Sequence, residues 1–392
     1  MNDGRLTTPE APIGGVPGPG ATGPWGARYA MLDSWRGLSA LAVVVQHVTG
    51  LRIGDYGVLL FFVISGYCIA AAADSARRRS LGFGAFMWRR VRRIFPPYLL
   101  SIVFFALTRL AKDLLEFGPA GLHRPLLTWL QNLTLTQWLS LVWHPLGNAY
   151  DNPVLLVTAY WSLCYEEQFY LVMGLFVLVA ARRRLSITKM AMAVGAVALA
   201  WNLRLPALAT GIFAEYWVHF LVGLLAYERL ARVPTASSRR ALDGIVGLVV
   251  LGGAAAWGAG LGWTPGRRYV FREWVVVGAF YFALVLLRRF DAAYSASLPG
   301  LLLGRLGTVT YSLYLVHTFN LTFCRVVTSA VLPAGAPYPV HVGLQLVAHL
   351  GVASVFWWLC ERPFLNGPVK APRPAQVERA GGIADGPAAV GR

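Results

Sequence analysis

Ten apolar segments, each about 17–25 residues long, divide this chain and limit its possible folds more than any other feature. A helix of that length spans the hydrocarbon core of a bilayer, where every backbone polar group must be bonded within the protein. With 56% hydrophobic and only 14% charged residues, the chain lacks the polar surface of a soluble protein. The sequence therefore predicts an all-α, polytopic transmembrane helical bundle of about ten helices. The predicted spans are 32–50, 57–74, 95–112, 155–180, 187–204, 211–230, 243–262, 270–288, 304–328 and 341–361.

Positive charge is concentrated in short loops between these spans. The formal net charge of +17 could indicate a nucleic-acid-binding protein, but the arginines cluster after the second, fourth, sixth and eighth spans. Basic loops stay on the cytoplasmic side. Both termini are therefore predicted to be cytoplasmic and the chain to lie in the plasma membrane, with no nucleic-acid partner. One loop does not fit, because Arg267, Arg268 and Arg272 fall on the predicted outer side.

The two ends of the chain differ from its apolar middle. Residues 1–30 are rich in Gly, Pro, Ala and Thr and lack the apolar core of a signal peptide, and residues 366–392 have a similar composition. Both ends are predicted to be disordered tails that flank one transmembrane domain at 31–365. The long outer loop at 113–154 predicts an interfacial or re-entrant segment. Its aromatic and imidazole residues are His123, Trp129, Trp138, Trp143 and His144.

The first span contains an arginine and a histidine, side chains that are costly at membrane depth and by default mark a functional site. Eleven residues come to roughly 20° beyond three helical turns, so Arg36 and His47 share one face about 16 Å apart along the axis. Asp33 falls within about 40° of that face. Snorkelling to the inner interface would explain Arg36 alone, but the pair on one face favours function. An imidazole there could remove the proton of a hydroxyl.

A basic cluster at residues 88–98 lies at the predicted cytoplasmic mouth of the bundle. Its arginines could hold the phosphates of a coenzyme through forked hydrogen bonds. Positive-inside topology explains such a cluster without any ligand and, taken alone, is the better interpretation. The arginines are Arg89, Arg90, Arg92 and Arg93. The neighbouring run at 57–67 contains glycines that indicate close helix packing more than catalysis.

Two adjacent glutamates, Glu166 and Glu167, lie in the apolar fourth span. They point about 100° apart on a helix, so at most one of them faces a shared cavity. Ser162 and Tyr170 lie four residues to either side of Glu166, and this polar stripe favours Glu166. A carboxylate neutralised by protonation, or by an arginine on another helix, is an equally good interpretation.

Other polar residues are weaker candidates. His317 in the ninth span could line a cavity, although a packed core histidine is the commoner case. Glu361 and Arg362 are expected to end the last helix at the cytoplasmic interface. The four cysteines have no metal-ligand spacing, so no metal site is expected. The sequence contains no H-x-x-x-x-D, G-x-S-x-G, H-E-x-x-H or P-loop motif.

Six short motifs, taken together, resemble those of the acyltransferase-3 family of integral membrane acyltransferases. Thr310 departs from the family pattern, which usually has serine before the tyrosine. The resemblance covers about residues 32–365. In chain order the motifs are D-x-x-R-G-x-x-A-L-x-V-x-x-x-H at 33–47, F-F-V-I-S-G-Y at 61–67, R-R-x-x-R-I-x-P at 89–96, W-S-L-x-x-E-E-Q-F-Y at 161–170, Y-S-L-Y-L-V-H at 311–317 and E-x-P at 361–363.

The resemblance implies about ten transmembrane helices and transfer of an acyl group, often acetyl, from acyl-CoA to a hydroxyl. The family's essential arginine and histidine fall on Arg36 and His47, its coenzyme-side arginines on Arg90 and Arg93, and its span-four glutamate on Glu166. Acceptors in such families are mostly carbohydrates, such as exopolysaccharide, lipopolysaccharide or peptidoglycan. In some members the acceptor is a macrolide.

The sequence thus leads to the hypothesis of a membrane-bound O-acyltransferase that uses acetyl-CoA as co-substrate, has no permanently bound cofactor and modifies a carbohydrate. His47 is predicted to act as general base or transient acyl carrier, Arg36 to stabilise negative charge or the coenzyme, and Glu166 to orient an imidazole or a sugar. The predicted phosphate ligands are Arg89, Arg90, Arg92 and Arg93. The predicted substrate contacts are Asp33, Trp161, Tyr170 and His317. A transporter or flippase that uses the same charges is the alternative.

Overall fold

A computed structural model describes residues 29–115, 121–141, 154–204, 211–232, 235–261, 270–333 and 335–365. Within these ranges the chain forms α-helices joined by turns and single helical turns of 3₁₀ or π type, without a β-strand, which confirms the all-α prediction. The helices are α1 (Met31–Thr49), α2 (Gly54–Arg78), α3 (Phe83–Leu114), α4 (Leu126–Thr134), α5 (Trp138–Leu141), α6 (Trp161–Arg183), α7 (Ile187–Arg204), α8 (Trp217–Tyr227), α9 (Ala236–Gly258), α10 (Val270–Leu287), α11 (Asp291–Ala296), α12 (Leu298–Val316), α13 (Leu321–Val331) and α14 (Tyr338–Phe356).

Several predictions fall outside these described residues. They concern nearly all of the N-terminal tail, the whole C-terminal tail and parts of two outer loops. In the loop at 113–154, the described residues include the short helices α4 and α5. Of the basic outer loop, Arg272 is described, and its guanidinium lies 5.6 Å from the centre of the Tyr56 ring. The outer-loop residues named above that lie outside the described ranges are Trp143, His144, Arg267 and Arg268.

Six helices in the described part of the chain are long and apolar enough to cross a membrane: α2, α3, α6, α9, α10 and α14, some of them counted with adjoining turns. The predicted count of about ten is therefore not confirmed. The ninth predicted span is broken, because α12 ends at Val316 and α13 begins at Leu321. Large apolar side chains on α3 are exposed, as expected of a surface that lipid covers; they include Leu99, Val103, Leu107 and Leu110.

Helix α1 packs closely against α12 through two glycines. A Cβ atom on Gly307 would lie 2.1 Å from the carbonyl oxygen of Asp33, and one on Gly37 would lie 3.0 Å from backbone atoms of α12. Small residues allow such approach between helices in a membrane, where van der Waals packing drives association. The contact fixes the register of the two helices. His47 and His317, which each follow their glycine by the same number of residues, therefore also meet, with ring centroids 5.0 Å apart.

A second glycine contact joins α2 to α8. A Cβ atom on Gly66 would lie 2.0 Å from the carbonyl oxygen of Phe220, and one on Gly223 would lie 1.9 Å from that of Val63. Neither contact leaves room for a side chain, so the two backbones touch. The prediction that the glycine-containing run at 57–67 serves close helix packing is confirmed here.

A distant carboxylate holds the start of α1. Asp291 accepts hydrogen bonds from the backbone N–H groups of Met31, at 2.7 Å, and Ala30, at 3.1 Å. The first N–H groups of a helix have no partner within it, and this end of the helix dipole favours an anion. Tyr29 is buried and donates to the carbonyl oxygen of Leu284 at 2.9 Å. The end of α1 that precedes Arg36 is thereby anchored to α10 and α11.

Replacement of Gly66 by alanine tests the contact between α2 and α8. The added methyl group would overlap the carbonyl oxygen of Phe220, so we expect Gly66→Ala to cost about 1–3 kcal/mol or more and to lower the melting temperature of the detergent-purified protein. Gly247→Ala in α9 is the matched control, because no atom lies within 4 Å of its added methyl group. Equal melting temperatures for the two variants would contradict the close contact.

Candidate active site

A cavity of about 100 Å³ lies between α1, α2, α3, α6 and α12. Its charged lining consists of three guanidinium groups, from Arg36, Arg90 and Arg93, and one carboxylate, from Glu166. This excess of positive charge suits an anionic ligand. The other lining residues are Val58, Phe61, Phe62, Ser65, Cys68, Ile69, Ile94, Ser162, Leu163, Tyr170, Thr310, Tyr311 and Tyr314.

Arg36 is held at both ends of its guanidinium fork. Its Nη1 lies 3.3 Å from Oδ1 of Asp33, one turn earlier on α1, and its Nη2 lies 3.2 Å from Sγ of Cys68 on α2. The guanidinium is planar, so two anchors fix the direction of its remaining donors. Asp33, predicted to touch substrate, is not part of the cavity lining and contacts Arg36 instead.

Glu166 lies at the centre of a polar stripe in the cavity wall. Its Oε1 accepts hydrogen bonds from the hydroxyl of Ser65 on α2, at 2.7 Å, and from the hydroxyl of Tyr170. Ser162, Glu166 and Tyr170 all line the cavity, as the four-residue spacing predicts. Ser65 belongs to the run that was assigned to packing, so its contact with the carboxylate is a feature that the sequence analysis missed.

The four arginines of the basic cluster divide into two pairs. Arg90 and Arg93, one helical turn apart on α3, line the cavity, whereas Arg89 and Arg92 do not. Arg92 is exposed and Arg89 is half-buried. The Nε atom of Arg90 is buried without a hydrogen-bond partner. The hydroxyl of Tyr311 on α12 donates to the carbonyl oxygen of Ile94 at 3.0 Å and ties this part of α3 to the cavity.

His47 is not part of the cavity lining, to which it is connected through the rings of His317 and Tyr314. Tyr314 lines the cavity, and its ring lies 5.6 Å from that of His317, which in turn contacts His47. Its hydroxyl is fixed, because it donates to the carbonyl oxygen of Ala159 at 2.6 Å and lies 2.5 Å from the hydroxyl of Ser162. The cavity lining thus includes Arg36 but neither histidine.

Trp161, a predicted substrate contact, also lies outside the cavity lining. Its ring packs at 5.7 Å from Tyr216, 5.9 Å from Tyr165 and 6.3 Å from Phe62. The side chain is half-buried in this aromatic group, next to the cavity residue Ser162. Among the predicted substrate contacts, Tyr170 alone lines the cavity.

Two buried polar residues make contacts that the sequence did not predict. Glu361 ends the last helical turn before Arg362, as expected, but its carboxylate is buried at 3% exposure and accepts hydrogen bonds from the backbone N–H and hydroxyl of Ser312, at 3.1 and 2.6 Å. The E-x-P motif at 361–363 was the sequence signal that drew attention to Glu361.

His349 on α14 is completely buried, and neither of its ring nitrogens has a partner. It lies within electrostatic range of His47 and His317. His349 lies in an ordinary apolar span, so the sequence gives no indication that it lies near other histidines. No group of His, Cys, Asp and Glu among the described residues is arranged to hold a metal ion.

Comparison with known proteins places these features in a family. The sequence profile of the acyltransferase-3 family, described as an acyltransferase domain, matches residues 29–359. The chain belongs to the acyltransferase-3 family. The profile match spans every cavity residue named above, together with His47, His317 and His349. With its apolar helices, this acyltransferase is a membrane protein.

Two curated relatives agree with this assignment. BcsY of Komagataeibacter xylinus, named provisionally as a membrane-bound transacylase, is 27% identical over 302 residues, which are 74% of this chain and 72% of BcsY. YrhL of Bacillus subtilis (strain 168), named provisionally as a peptidoglycan O-acetyltransferase, is 29% identical over 154 residues, which are 38% of this chain and 23% of YrhL. No solved structure matches this acyltransferase.

The cysteines of this acyltransferase offer a test of the cavity that does not depend on activity. Cys68 lines the cavity, whereas Cys164 and Cys324 are completely buried elsewhere. We expect a small methanethiosulfonate reagent to modify Cys68 within minutes and to leave Cys164 and Cys324 unmodified, as measured by peptide mass spectrometry. The Cys68→Ser variant is the control for background reaction. Modification of Cys164 at the rate of Cys68 would contradict the position of the cavity.

Proposed function

We propose that this protein is an O-acyltransferase that moves a short acyl group, acetyl, from acyl-CoA to a hydroxyl of a carbohydrate such as an exopolysaccharide or peptidoglycan. The observation that carries the proposal is the cavity in which Arg36, Arg90 and Arg93 surround a small space, within the residues that the family profile matches. Three guanidinium groups against one carboxylate favour a donor that carries phosphates and develops negative charge.

The size of the cavity supports a short acyl chain. A cavity of about 100 Å³ is smaller than the clefts that hold drug-sized ligands, about 300–1,000 Å³. The acyl end of the donor fits such a space, whereas its nucleotide does not and would remain at the mouth. There Arg90 and Arg93 contact the phosphates, whereas Arg89 and Arg92 do not line the cavity. Long acyl chains are disfavoured for the same reason.

Each polar residue of the site has a role in this proposal. Arg36, fixed by Asp33 and Cys68, stabilises the oxyanion that forms when the thioester carbonyl is attacked. Glu166 orients the hydroxyls of Ser65 and Tyr170 that border the acyl group. His47 receives the proton of the acceptor hydroxyl or carries the acyl group transiently. The name of YrhL, a peptidoglycan O-acetyltransferase, supports a cell-surface glycan as the acceptor.

The decisive experiment combines donor and acceptor with the purified protein. In lipid nanodiscs, with acetyl-labelled acetyl-CoA and soluble peptidoglycan fragments or β-glucan oligosaccharides, we expect release of CoA thiol and an alkali-labile labelled ester on the carbohydrate. His47→Ala should abolish the ester, because it removes the only imidazole of α1. Near-normal ester formation by that variant would refute its role. A transporter would neither bind acetyl-CoA nor release thiol.

The division of the arginine cluster gives a matched pair of variants. Arg90→Gln and Arg93→Gln each remove a guanidinium from the cavity wall, so we expect about a tenfold or larger rise in the KM for acetyl-CoA. Arg92→Gln, on the exposed side of the same helix, should change KM less than threefold, about the effect of a rim charge. The measurement is initial thiol release at constant acceptor concentration. Equal effects at positions 90 and 92 would contradict donor binding in the cavity.

A further inference from the structure

The break between α12 and α13 is the least satisfied polar region in the described part of the apolar bundle. Residues 317–320 connect the two helices, and three of their side chains have buried polar atoms without a hydrogen-bond partner: Nε2 of His317, Oγ1 of Thr318 and Nδ2 of Asn320. His317 is 0% exposed and Asn320 is 2% exposed. Both ring nitrogens of the neighbouring His349 are also without partners. Buried polar groups normally have partners, so this group requires a water or a ligand.

The break is held in place by its one apolar residue. The ring of Phe319 packs at 5.7 Å from Phe104 and 5.8 Å from Phe105, both on α3. In a membrane, a broken helix is tolerated where it is buried in protein or lines a polar cavity, as in transporter binding sites.

The chemistry of these unpaired atoms fits a hydroxyl group. A hydroxyl donates one hydrogen bond and accepts two. The amide nitrogen of Asn320 only donates, the hydroxyl of Thr318 does both, and a ring nitrogen without hydrogen only accepts. As a set they match the donor and acceptor capacity of a hydroxyl, whereas a carboxylate or phosphate would leave an accepting nitrogen unmatched.

The protonation of His317 follows from its contact with Tyr314. Nδ1 of His317 lies 2.8 Å from the carbonyl oxygen of Tyr314. A carbonyl oxygen accepts hydrogen bonds only, so Nδ1 carries the hydrogen. In a neutral imidazole the other nitrogen, Nε2, then has a free lone pair and can act as a base. The same arrangement, with one nitrogen bonded to an acceptor and the other presented to a hydroxyl, is how a general-base histidine is oriented.

We propose that the α12–α13 break binds the hydroxyl of the acceptor and that Nε2 of His317 takes its proton. This inference rests on the proposed acyltransferase function and names the acceptor side of the same site. The hydroxyl oxygen forms a bond to the acyl carbon, the C–S bond of the thioester breaks, and sulfur leaves with the electron pair. The proton passes from His317 to His47, whose ring is 5.0 Å away, and then to the coenzyme thiolate.

Few other titratable groups face the two histidines. His349 on α14 lies within electrostatic range of both, and Asp55 at the start of α2 lies within range of His47. Asp55 is itself bound by the side chains of Gln46, at 2.9 Å, and Arg52, at 3.1 Å. The nearest hydroxyl towards the cavity is that of Tyr314, which is already bonded. The proton can therefore move from one imidazole to the next, and the carboxylate of Asp55 lies at the outer end of this path.

The substitution His317→Asn separates a basic role from a structural one. The asparagine amide can still donate to the carbonyl oxygen of Tyr314, but the basic Nε2 is lost. We expect an unchanged melting temperature, an unchanged Kd for acetyl-CoA and a fall in kcat of about 100-fold or more for ester formation on peptidoglycan fragments. His341→Asn, on α14 and half-buried, is the control and should retain normal kcat. Normal kcat in the His317→Asn variant would overturn the proposal.

Two further measurements distinguish this proposal from failure of the proposed function. Thr318→Val keeps the shape of the side chain and removes its hydroxyl, so the KM for the acceptor should rise about tenfold while that for acetyl-CoA stays constant. Nuclear magnetic resonance of ¹⁵N-histidine-labelled protein should show His317 with hydrogen on Nδ1, a readout that needs no activity. Hydrogen on Nε2 would overturn the proposal. If the wild-type protein binds no acetyl-CoA, the acyltransferase function itself fails.

Discussion

The contact between Gly37 on α1 and Gly307 on α12 determines the rest of the site. Both helices run in the same direction, and the absence of side chains at this point lets their backbones touch. With the register set there, ten further residues, or about 15 Å, bring His47 against His317. The same contact places Arg36 at the cavity together with the last turns of α12, which contribute Thr310, Tyr311 and Tyr314 to the lining. A side chain at either glycine would separate both the guanidinium wall and the histidine pair.

Helical periodicity predicted a good part of this site. The stripe of Ser162, Glu166 and Tyr170 lines one wall, as their spacing required. For Arg36 and His47, the shared face of α1 says nothing about which helix each side chain meets. Arg36 contacts α2, whereas His47 contacts the end of α12. Likewise, the spacing of the four arginines places them in two pairs on different faces of α3. Only the packing of α3 against α6 and α12 decides which pair lines the cavity.

The features that could not be predicted depend on tertiary contacts or on small breaks. Residues 313–321 contain neither glycine nor proline, so their hydropathy reads as one continuous span, yet the helix stops at Val316. Glu361 does end a helical turn, as its sequence predicts, but nothing in the sequence shows that Ser312 donates two hydrogen bonds to its buried carboxylate. His349 becomes notable only because α14 brings it near two other imidazoles. The sequence alone indicated a membrane protein and its family, but it did not indicate these tertiary contacts.

The position of the Tyr314 ring has a consequence for the motions that turnover demands. The ring lines the arginine-lined cavity and also contacts His317, and its hydroxyl is bonded to Ser162 and to the carbonyl oxygen of Ala159. If the ring turned away, both of these hydrogen bonds would break. Passage of a group between the cavity and the imidazoles is therefore coupled to the reorientation of this one aromatic residue, whose rate sets an upper limit on how often the two regions exchange a molecule.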